Sequence, residues 1–276
     1  MRDKIKTDLG SLQETLFIPL LFRAKESEKD NPVLYDGFAR EIISKIDYDF
    51  SSIEKGIDIN HQIVWVIRAL NFDNLIKGFL AENDNVLVMN IGAGLDTTFN
   101  RVDDGSVYWV NIDLPDVVDL RLKLIGNAER ETNIAKSVFD FSWIDDIANL
   151  SEGRSILFLA AGVFCYFTAS DLKRLFVKLS DVYPASQLIF DTMSWLTVWG
   201  ANRSIMKKSG MDSSAILKWH LKRPSRLKNW VNKIEIIEEF SMFSRLPSDA
   251  DLNSTVLRGM KISDLLGMYK MVHARL

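Results

Sequence analysis

The residue types and spacings best suited to chemistry are Gly92 and Gly94, one residue apart, and Asp113, 19 residues beyond Gly94. Glycine lacks the Cβ that would hold a ligand off the main chain, so a strand that runs into Gly92-Ala93-Gly94 lets a ligand approach the backbone closely. The next apolar run, VYWVNID, ends in Asp113. An acid at that strand end can accept hydrogen bonds from ribose hydroxyls. Together the two features favour an adenosine-bearing cofactor over a plain strand-to-helix turn and a turn aspartate before Pro115. The third glycine of the dinucleotide fingerprint is absent, since Thr97 stands there. A nicotinamide cofactor rests its pyrophosphate on the following helix and wants that glycine for close packing. S-adenosyl-L-methionine carries no phosphate, and the looser turn suits it better. A NAD-dependent oxidoreductase shares both features and stays open as an alternative.

These residues need a scaffold, and the hydrophobic pattern supplies one. Short β-branched or aliphatic runs recur near 86–91, 107–112, 156–161, 187–191, 234–238 and 268–274, with a weaker one at 134–139. Most are separated by stretches compatible with helix, the alternation of a parallel sheet with crossover helices. The runs at 86 and 156 are apolar at consecutive positions, as in strands covered by helices on both faces. The segment HQIVWVIRALNFDNLIKGFL places apolar residues at helical spacing and predicts an amphipathic helix leading into the first strand, with a break near Asn71. The expected fold class is α/β and Rossmann-like, a mostly parallel sheet with helices on both faces, N-terminal helices and a helical lid. A helical segment over residues 1–82 is expected to pack on a core over 83–276, with the lid inserted at about 194–232.

Composition narrows the classes. With 276 residues, 47% of them hydrophobic, the chain can bury a full α/β core. Cys165 is the single cysteine, which excludes an internal disulfide and a cysteine-rich metal site, and no metal is expected. It reads as a small buried hydrophobe. The expected compartment is the cytoplasm: the N-terminal run LFIPLLF is broken by proline and short for a secretory h-region. The run ILFLAAGVFCYF falls short of the roughly 20 residues that span a bilayer, so no membrane partner is expected. The formal net charge of −3, without a recognised nucleic-acid module, argues against a nucleic-acid binder.

The expected lid is the most unusual stretch. It holds Trp195, Trp199, Trp219 and Trp230, four of the chain's seven tryptophans. Between Arg203 and Lys233 basic residues stand at 203, 207, 208, 218, 222, 223, 226, 228 and 233, against the single acid Asp212. A solvated helix face would look like this. So would a lid that draws in an anionic or aromatic small molecule, with Trp195, Trp199 and Trp219 against it, or docks an acidic carrier protein. Methylation of a carboxylate needs no base, whereas a phenol or alcohol usually does, and histidine is the commonest proton acceptor. Of His61, His220 and His273, the lid histidine His220 is the catalytic candidate.

Several segments together carry a family likeness. NIGAGLDTTFNRV followed by VYWVNIDLPDVVDLRLKLI resembles the glycine turn and D-L-P-x-V segment of the leucine carboxyl methyltransferase-like family, which includes O-methyltransferases of polyketide biosynthesis. ETLFIPLLFRAKES, VLYDGFAREII, IRALNFDNLIKGFL and ILFLAAGVFCYFTASDLKRLF resemble its N-terminal segment, its arginine-bearing helix and its fourth strand with the Y-x-T helix start, so the likeness spans about residues 14–190. It implies a class I, S-adenosyl-L-methionine-dependent O-methyltransferase acting on a carboxyl or hydroxyl oxygen of a small metabolite in natural-product biosynthesis. It also implies that Arg23 and Arg68 hold the cofactor's carboxylate, for which the arginine fork is apt. Gly92 and Gly94 match the cofactor turn and Asp113 the ribose acid. Asp140 matches the acid at the adenine amino group, with Phe141 beside it, although Asp140 also reads as a helix N-cap. Tyr166, after the fourth strand, reads as a pocket-lining, substrate-binding residue or, as a family position, equally as a structural one. Asp36 reads as a fixture of the N-terminal helices, and Asp73 as a partner of Arg68 or an N-cap after Asn71. Three positions depart from the pattern: Thr98 where arginine is common, Asn111 where an acid often stands, and Ala161 where glutamate often ends the fourth strand and meets the cofactor. These departures keep open a catalytically lapsed cofactor-binding protein.

Overall fold

The computed structural model describes residues 5–6, 16–57, 59–208 and 216–276, with the side chains at 6, 52, 59–61 and 204–208 outside the description. Seven strands form one sheet: β1 (Val86–Ile91), β2 (Tyr108–Asp113), β3 (Glu131–Ala135), β4 (Ser155–Ala160), β5 (Gln187–Met193), β6 (Glu235–Ser241) and β7 (Tyr269–Arg275). Their order is β3-β2-β1-β4-β5-β7-β6. The first five pair in parallel, and β7 runs antiparallel to both β5 and β6. Apolar periodicity finds strands without giving their direction, so the antiparallel insertion of β7 was not legible in it. The weak run at 134–139 forms strand only over 131–135, because the chain turns at Ser137, whose carbonyl accepts from Asp140 N–H at 2.9 Å.

Every residue of β1 is buried, as its unbroken apolar run demands of a strand covered on both faces. One cover is α3 (Ile59–Glu82), whose Ile63, Ile67, Leu75 and Ile76 join a core with Val88, Leu159, Ile189 and Met271. α7 (Ser254–Leu265) adds Val256 and Met260 to that side. The other cover is α5 (Ala169–Val182), which packs Leu172, Leu175, Phe176 and Leu179 against Leu87, Phe158 and Phe190. α3 is one continuous helix of 24 residues, contrary to the break expected near Asn71. Asn71 is a poor helix former, but its buried Nδ2 donates to Met242 O at 2.8 Å, so the tertiary contact satisfies it inside the helix.

A third cluster joins α1 (Phe17–Glu26) and α2 (Gly37–Lys45) to Leu120 and Leu124 of α4 (Pro115–Leu124), and to Leu95, Cys165, Val198 and Leu217. It brings the N-terminal helices against the C-terminal ends of the parallel strands. β1 and β4 are neighbours, and the chain leaves them in opposite directions across the sheet. In open α/β sheets a ligand crevice opens at that reversal, beyond the carboxyl ends of the strands.

Candidate active site

A cavity of about 260 Å³ lies at that reversal. Its floor is the glycine turn. Gly92 adopts φ 63°, a left-handed conformation that glycine reaches without strain, and its N–H donates to Ile112 O at 2.8 Å. A Cβ at Gly92 would collide with Val163, one at Gly94 with Leu16, so both glycines are needed for these walls to close. Arg121 of α4 ties the turn down from below, donating to Gly94 O at 3.2 Å and Asp96 O at 2.6 Å while pairing with Glu131 at 2.7 Å.

Asp113 lines the cavity at the end of β2, as its strand-end position predicts. Its Oδ2 accepts from Gly94 N–H and its Oδ1 from Leu114 N–H, each at 2.7 Å. Burial pushes its carboxyl above the usual range, opposed by those two N–H groups and by Arg121. Each oxygen keeps a lone pair for a further donor. Lys136, Ser137 and Val138, on the turn after β3, continue the same wall.

The opposite wall carries Arg68 from α3, Asp191 and Met193 from β5 and Tyr269 from β7. Arg68 Nη1 lies 3.7 Å from Asp191 Oδ2, and the guanidinium donates no hydrogen bond among the described residues although its side chain is only 14% exposed. Asp191 Oδ1 accepts from Gly162 N–H at 2.5 Å. Gly162, at φ 72°, packs so closely under Arg68 that any Cβ there would strike the guanidinium. Gly162, Asp191 and Tyr269 were missed in the sequence, and only the glycine directly after the β4 run was a usable signal.

A second recess adjoins the first, sharing Leu16, Trp65, Arg68, Gly92 and Ala161, and adds Arg23, Gly94 and Asp96. Arg23 is buried, its Nε paired with Asp36 at 2.9 Å and its Nη2 donating to Leu95 O at 3.4 Å. Asp36 caps α2 through Ala39 N–H at 2.9 Å, as expected, and also takes Thr97 Oγ1 and Arg101 Nη1. Asp73 neither orients Arg68 nor caps a helix. It pairs with Arg101 at 2.7 Å.

The structure thus brings Arg23, Arg68, Gly92, Gly94, Asp113, Ala161 and Tyr166 to these two connected spaces. It does not bring the others. Asp140 is exposed and accepts from Ser142 N–H at 3.1 Å, the local cap its sequence context allowed, while the backbone before it forms the wall. Phe141 turns to α5, under Arg174 and Lys178.

The lid differs most from expectation. Its first part is helical, α6 (Trp195–Lys208), but Trp195 and Trp199 stand exposed and stack on each other with ring centroids 6.5 Å apart. Val198 and Ala201, on the other side of α6, face inward, and Ala201 lines the cavity. Residues 209–215, including Asp212, lie outside the described residues. From 216 to 222 the chain is extended and alternates, burying Leu217, Trp219 and Leu221 and exposing Ile216, Lys218, His220 and Lys222. That period of two turns His220 away from the cavity, so it is not placed as a base there, and it sends Trp219 into a core with Phe164, Phe190 and Trp230. His273 is buried with Nε2 2.6 Å from Gln187 Oε1, and burial lowers its pKa. His61 has no described side chain.

The comparisons fit this geometry. The family model described as leucine carboxyl methyltransferase matches residues 17–180. The chain belongs to the leucine carboxyl methyltransferase family. Among curated relatives, the tetracenomycin polyketide synthesis O-methyltransferase TcmP of Streptomyces glaucescens is 28% identical over 236 residues, covering 85% of this chain and 84% of that protein. The S-adenosyl-L-methionine-dependent methyltransferase dpfgK of Gibberella zeae is 24% identical over 246 residues, covering 83% and 82%. A DUF574 family protein from Streptomyces avermitilis shares the fold with a TM-score of 0.58 at 14% identity, covering 95% of this chain and 96% of that one. The plantazolicin methyltransferase BpumL, solved with S-adenosylhomocysteine and a triazolic desmethylPZN analogue, does so at 0.51 and 13% identity, covering 95% and 98%. This member of the leucine carboxyl methyltransferase family is an S-adenosyl-L-methionine-dependent methyltransferase.

Two of the three departures from the family pattern have a structural reason. Asn111 is fully buried and donates to Glu131 at 2.7 Å and Asn133 at 3.1 Å while accepting from Trp109 Nε1 at 2.9 Å. A carboxylate there would face Glu131 in the interior, where like charges are costly. Thr98 donates to Asp96 at 2.8 Å and accepts from Arg101 at 2.9 Å. Ala161 lines both spaces, and the nearby carboxylate comes from Asp191 on the adjacent strand.

Proposed function

We propose that this methyltransferase acts on a carboxyl or hydroxyl oxygen of a small, largely apolar metabolite in polyketide or other natural-product biosynthesis. The likeness to TcmP over 85% of the chain supports an oxygen target in a polyketide setting. The cavity itself supports the small apolar substrate, since Ile18, Val64, Met193 and Leu217 are among the residues that line it.

The residues fit the cofactor. When bound, S-adenosyl-L-methionine supplies a methyl group on a cationic sulfur. In this reading Asp113 accepts from the ribose hydroxyls, the glycine turn admits the cofactor against its backbone, and the 136–138 turn walls the base. Arg68, a half-buried cation with no protein hydrogen-bond acceptor among the described residues, holds a carboxylate. Arg23 supports the turn through Asp36 and Leu95 O. The observation that carries the reading is this combination, across one cavity, of Asp113 with an Arg68 that pairs loosely with Asp191 at 3.7 Å and donates no hydrogen bond among the described residues. The nicotinamide alternative loses ground here: the helix after the glycine turn spans only Thr98–Val102, and Thr97 is committed to Asp36 and Arg101, leaving no dipole-bearing helix for a pyrophosphate.

Calorimetric titration with S-adenosylhomocysteine tests the cofactor site. Asp113→Ala is expected to weaken binding about 10- to 100-fold, the size of one or two hydrogen bonds to a charged group, with no heat from NAD. Unchanged affinity would remove Asp113 from the site. We also propose that the substrate arrives on an acidic carrier protein, because the exposed Lys218, Lys222, Arg223, Arg226, Lys228 and Lys233 form no ion pair among the described residues.

A further inference from the structure

The buried pairs of arginine with carboxylate among the described residues are of two kinds. Arg23 meets Asp36 at 2.9 Å, Arg101 meets Asp73 at 2.7 Å and Arg121 meets Glu131 at 2.7 Å, each closed by direct hydrogen bonds. Arg68 and Asp191 stand 3.7 Å apart, beyond hydrogen-bond reach, although their side chains are only 14% and 5% exposed. Both line the larger cavity, and Gly162 holds them side by side, its bare Cα making room for the guanidinium while its N–H donates to Asp191 Oδ1. No donor reaches Asp191 Oδ2 among the described residues. The other carboxylates on the two spaces are better served. Asp113 has a backbone N–H on each oxygen, and Asp96 takes Asn90 Nδ2 on one oxygen and Thr98 Oγ1 on the other. An open buried pair is desolvated without the hydrogen bonds that offset it, so a ligand bearing both opposite charges is stabilised there.

We infer that Asp191 is a cofactor-binding residue whose Oδ2 receives the ammonium group of the cofactor's amino-acid end, so that Arg68 and Asp191 together clamp a zwitterion. The inference rests on the methyltransferase reading of the cavity, in which Arg68 holds the carboxylate. Asp191 lies beyond the residues matched by the family model. The ammonium nitrogen and carboxylate oxygens of an α-amino acid hang from one carbon and stand about 3 Å apart. Arg68 Nη1 and Asp191 Oδ2 present the opposite charges at a similar spacing, 3.7 Å. An ammonium has three donors and no acceptor, which suits an oxygen left without a donor. A carboxylate binding Arg68 without an ammonium beside it would meet the Asp191 charge, and like charges oppose one another. Ala161, directly after β4, brings no anion to this wall, so the carboxylate has to come across from β5. The Cys165 thiol of the same cavity is pushed up by burial and then by the Asp191 charge, so it stays neutral and is no rival anion.

The test is calorimetric titration of the full chain with three ligands that differ at the amino-acid end. They are S-adenosylhomocysteine, its des-amino analogue, in which hydrogen replaces the α-amino group, and its decarboxy analogue, in which hydrogen replaces the carboxylate. Wild type is expected to bind S-adenosylhomocysteine about 10- to 100-fold more tightly than the des-amino analogue, the scale of a hydrogen bond between charged groups, and this comparison needs no variant. Asp191→Asn, whose amide oxygen still accepts from Gly162 N–H, should weaken S-adenosylhomocysteine by about that factor and weaken the des-amino analogue by less than about twofold. The decarboxy analogue should depend on Asp191 as strongly as S-adenosylhomocysteine does. Equal binding of S-adenosylhomocysteine and the des-amino analogue by wild type overturns the inference. Equal weakening of both by Asp191→Asn also overturns it, reducing Asp191 to a support for Arg68, as does a decarboxy analogue indifferent to the substitution. Failure of wild type to bind S-adenosylhomocysteine is a separate result, which removes the methyltransferase reading of the cavity and the clamp with it.

Discussion

The two walls of the cavity are built in different ways. The wall from Gly92 to Val138 comes from consecutive strand-and-turn units, each delivering its functional group at or just past the end of a strand: the glycines after β1, Asp113 ending β2, Ser137 after β3. The facing wall gathers Leu16, Arg68, Asp191, Leu217 and Tyr269 from five separate stretches of the chain. In the first wall the strand ends do most of the positioning, with Arg121 fastening the glycine turn through its carbonyls. In the second wall the side chains hold one another: Arg68 needs the bare Cα of Gly162, and Asp191 ties Gly162 to β5. One wall is set by local geometry and the other by packing, so they should fail differently.

The largest contrast lies within the tryptophans of the expected lid. Trp219 is buried in an aromatic cluster and Trp195 is 55% exposed. Trp219→Ala should cost about 3–5 kcal/mol, the scale of truncating a buried aromatic, while Trp195→Ala stays within about 0.5 kcal/mol. Urea denaturation of both variants reads this directly. Similar losses would mean that Trp195 is covered in solution.

Slightly smaller is the effect of the ionic support under the glycine turn. Asp36 is 1% exposed and serves Arg23, Arg101, Thr97 and Ala39 at once. Asp36→Asn leaves two buried guanidinium groups short of charge and should cost about 3 kcal/mol, measured by the same denaturation. Burial works to raise the Asp36 pKa, but Arg23 and Arg101, with the Thr97 and Ala39 hydrogen bonds, overcome it and hold the carboxyl below its usual range. A depressed folded-state pKa means stability that is present above the unfolded value and lost as pH falls through the folded one. The wild type should therefore lose stability below about pH 4 with a steeper slope than Asp36→Asn. Parallel slopes would detach this network from acid unfolding.

The same contrast explains what could be read from the chain. β1, β2 and β4, the glycine turn and Asp113 were legible because each depends on a few neighbouring residues: an apolar run, a missing Cβ, an acid where the run ends. Asp191 and Tyr269 were not, because nothing within the runs QLIFDTM and YKMVHAR says that the two strands are antiparallel neighbours in a register that aims both residues at α3. The stretch from 216 to 234 misled for a related reason. Its buried residues, Leu217, Trp219, Leu221, Pro224, Leu227, Val231 and Ile234, change spacing from two to three or four at Leu221, where an extended stretch gives way to the 3₁₀ turn Pro224–Asn229. Spacings of three and four are those of a helix face, so the part after Leu221 carries a helical pattern in an irregular stretch.

The smallest expected effect belongs to His220, and it separates the two accounts of that stretch. If the chain were a helical lid closing on the substrate, His220 would be placed to accept a proton, and His220→Ala would lower the rate by the 10²–10⁴-fold typical of a lost general base. In the extended arrangement its side chain points into solvent beside Lys218 and Arg226, on the outside of the wall that Leu217 lines within. His220→Ala should then leave both S-adenosylhomocysteine affinity and turnover of an accepted substrate within about twofold of wild type, because exposed positions away from a site change little. The pH profile discriminates further. A histidine base would impose an acid limb on the rate that the alanine variant lacks, whereas wild type and variant with superimposable profiles exclude His220 as that base.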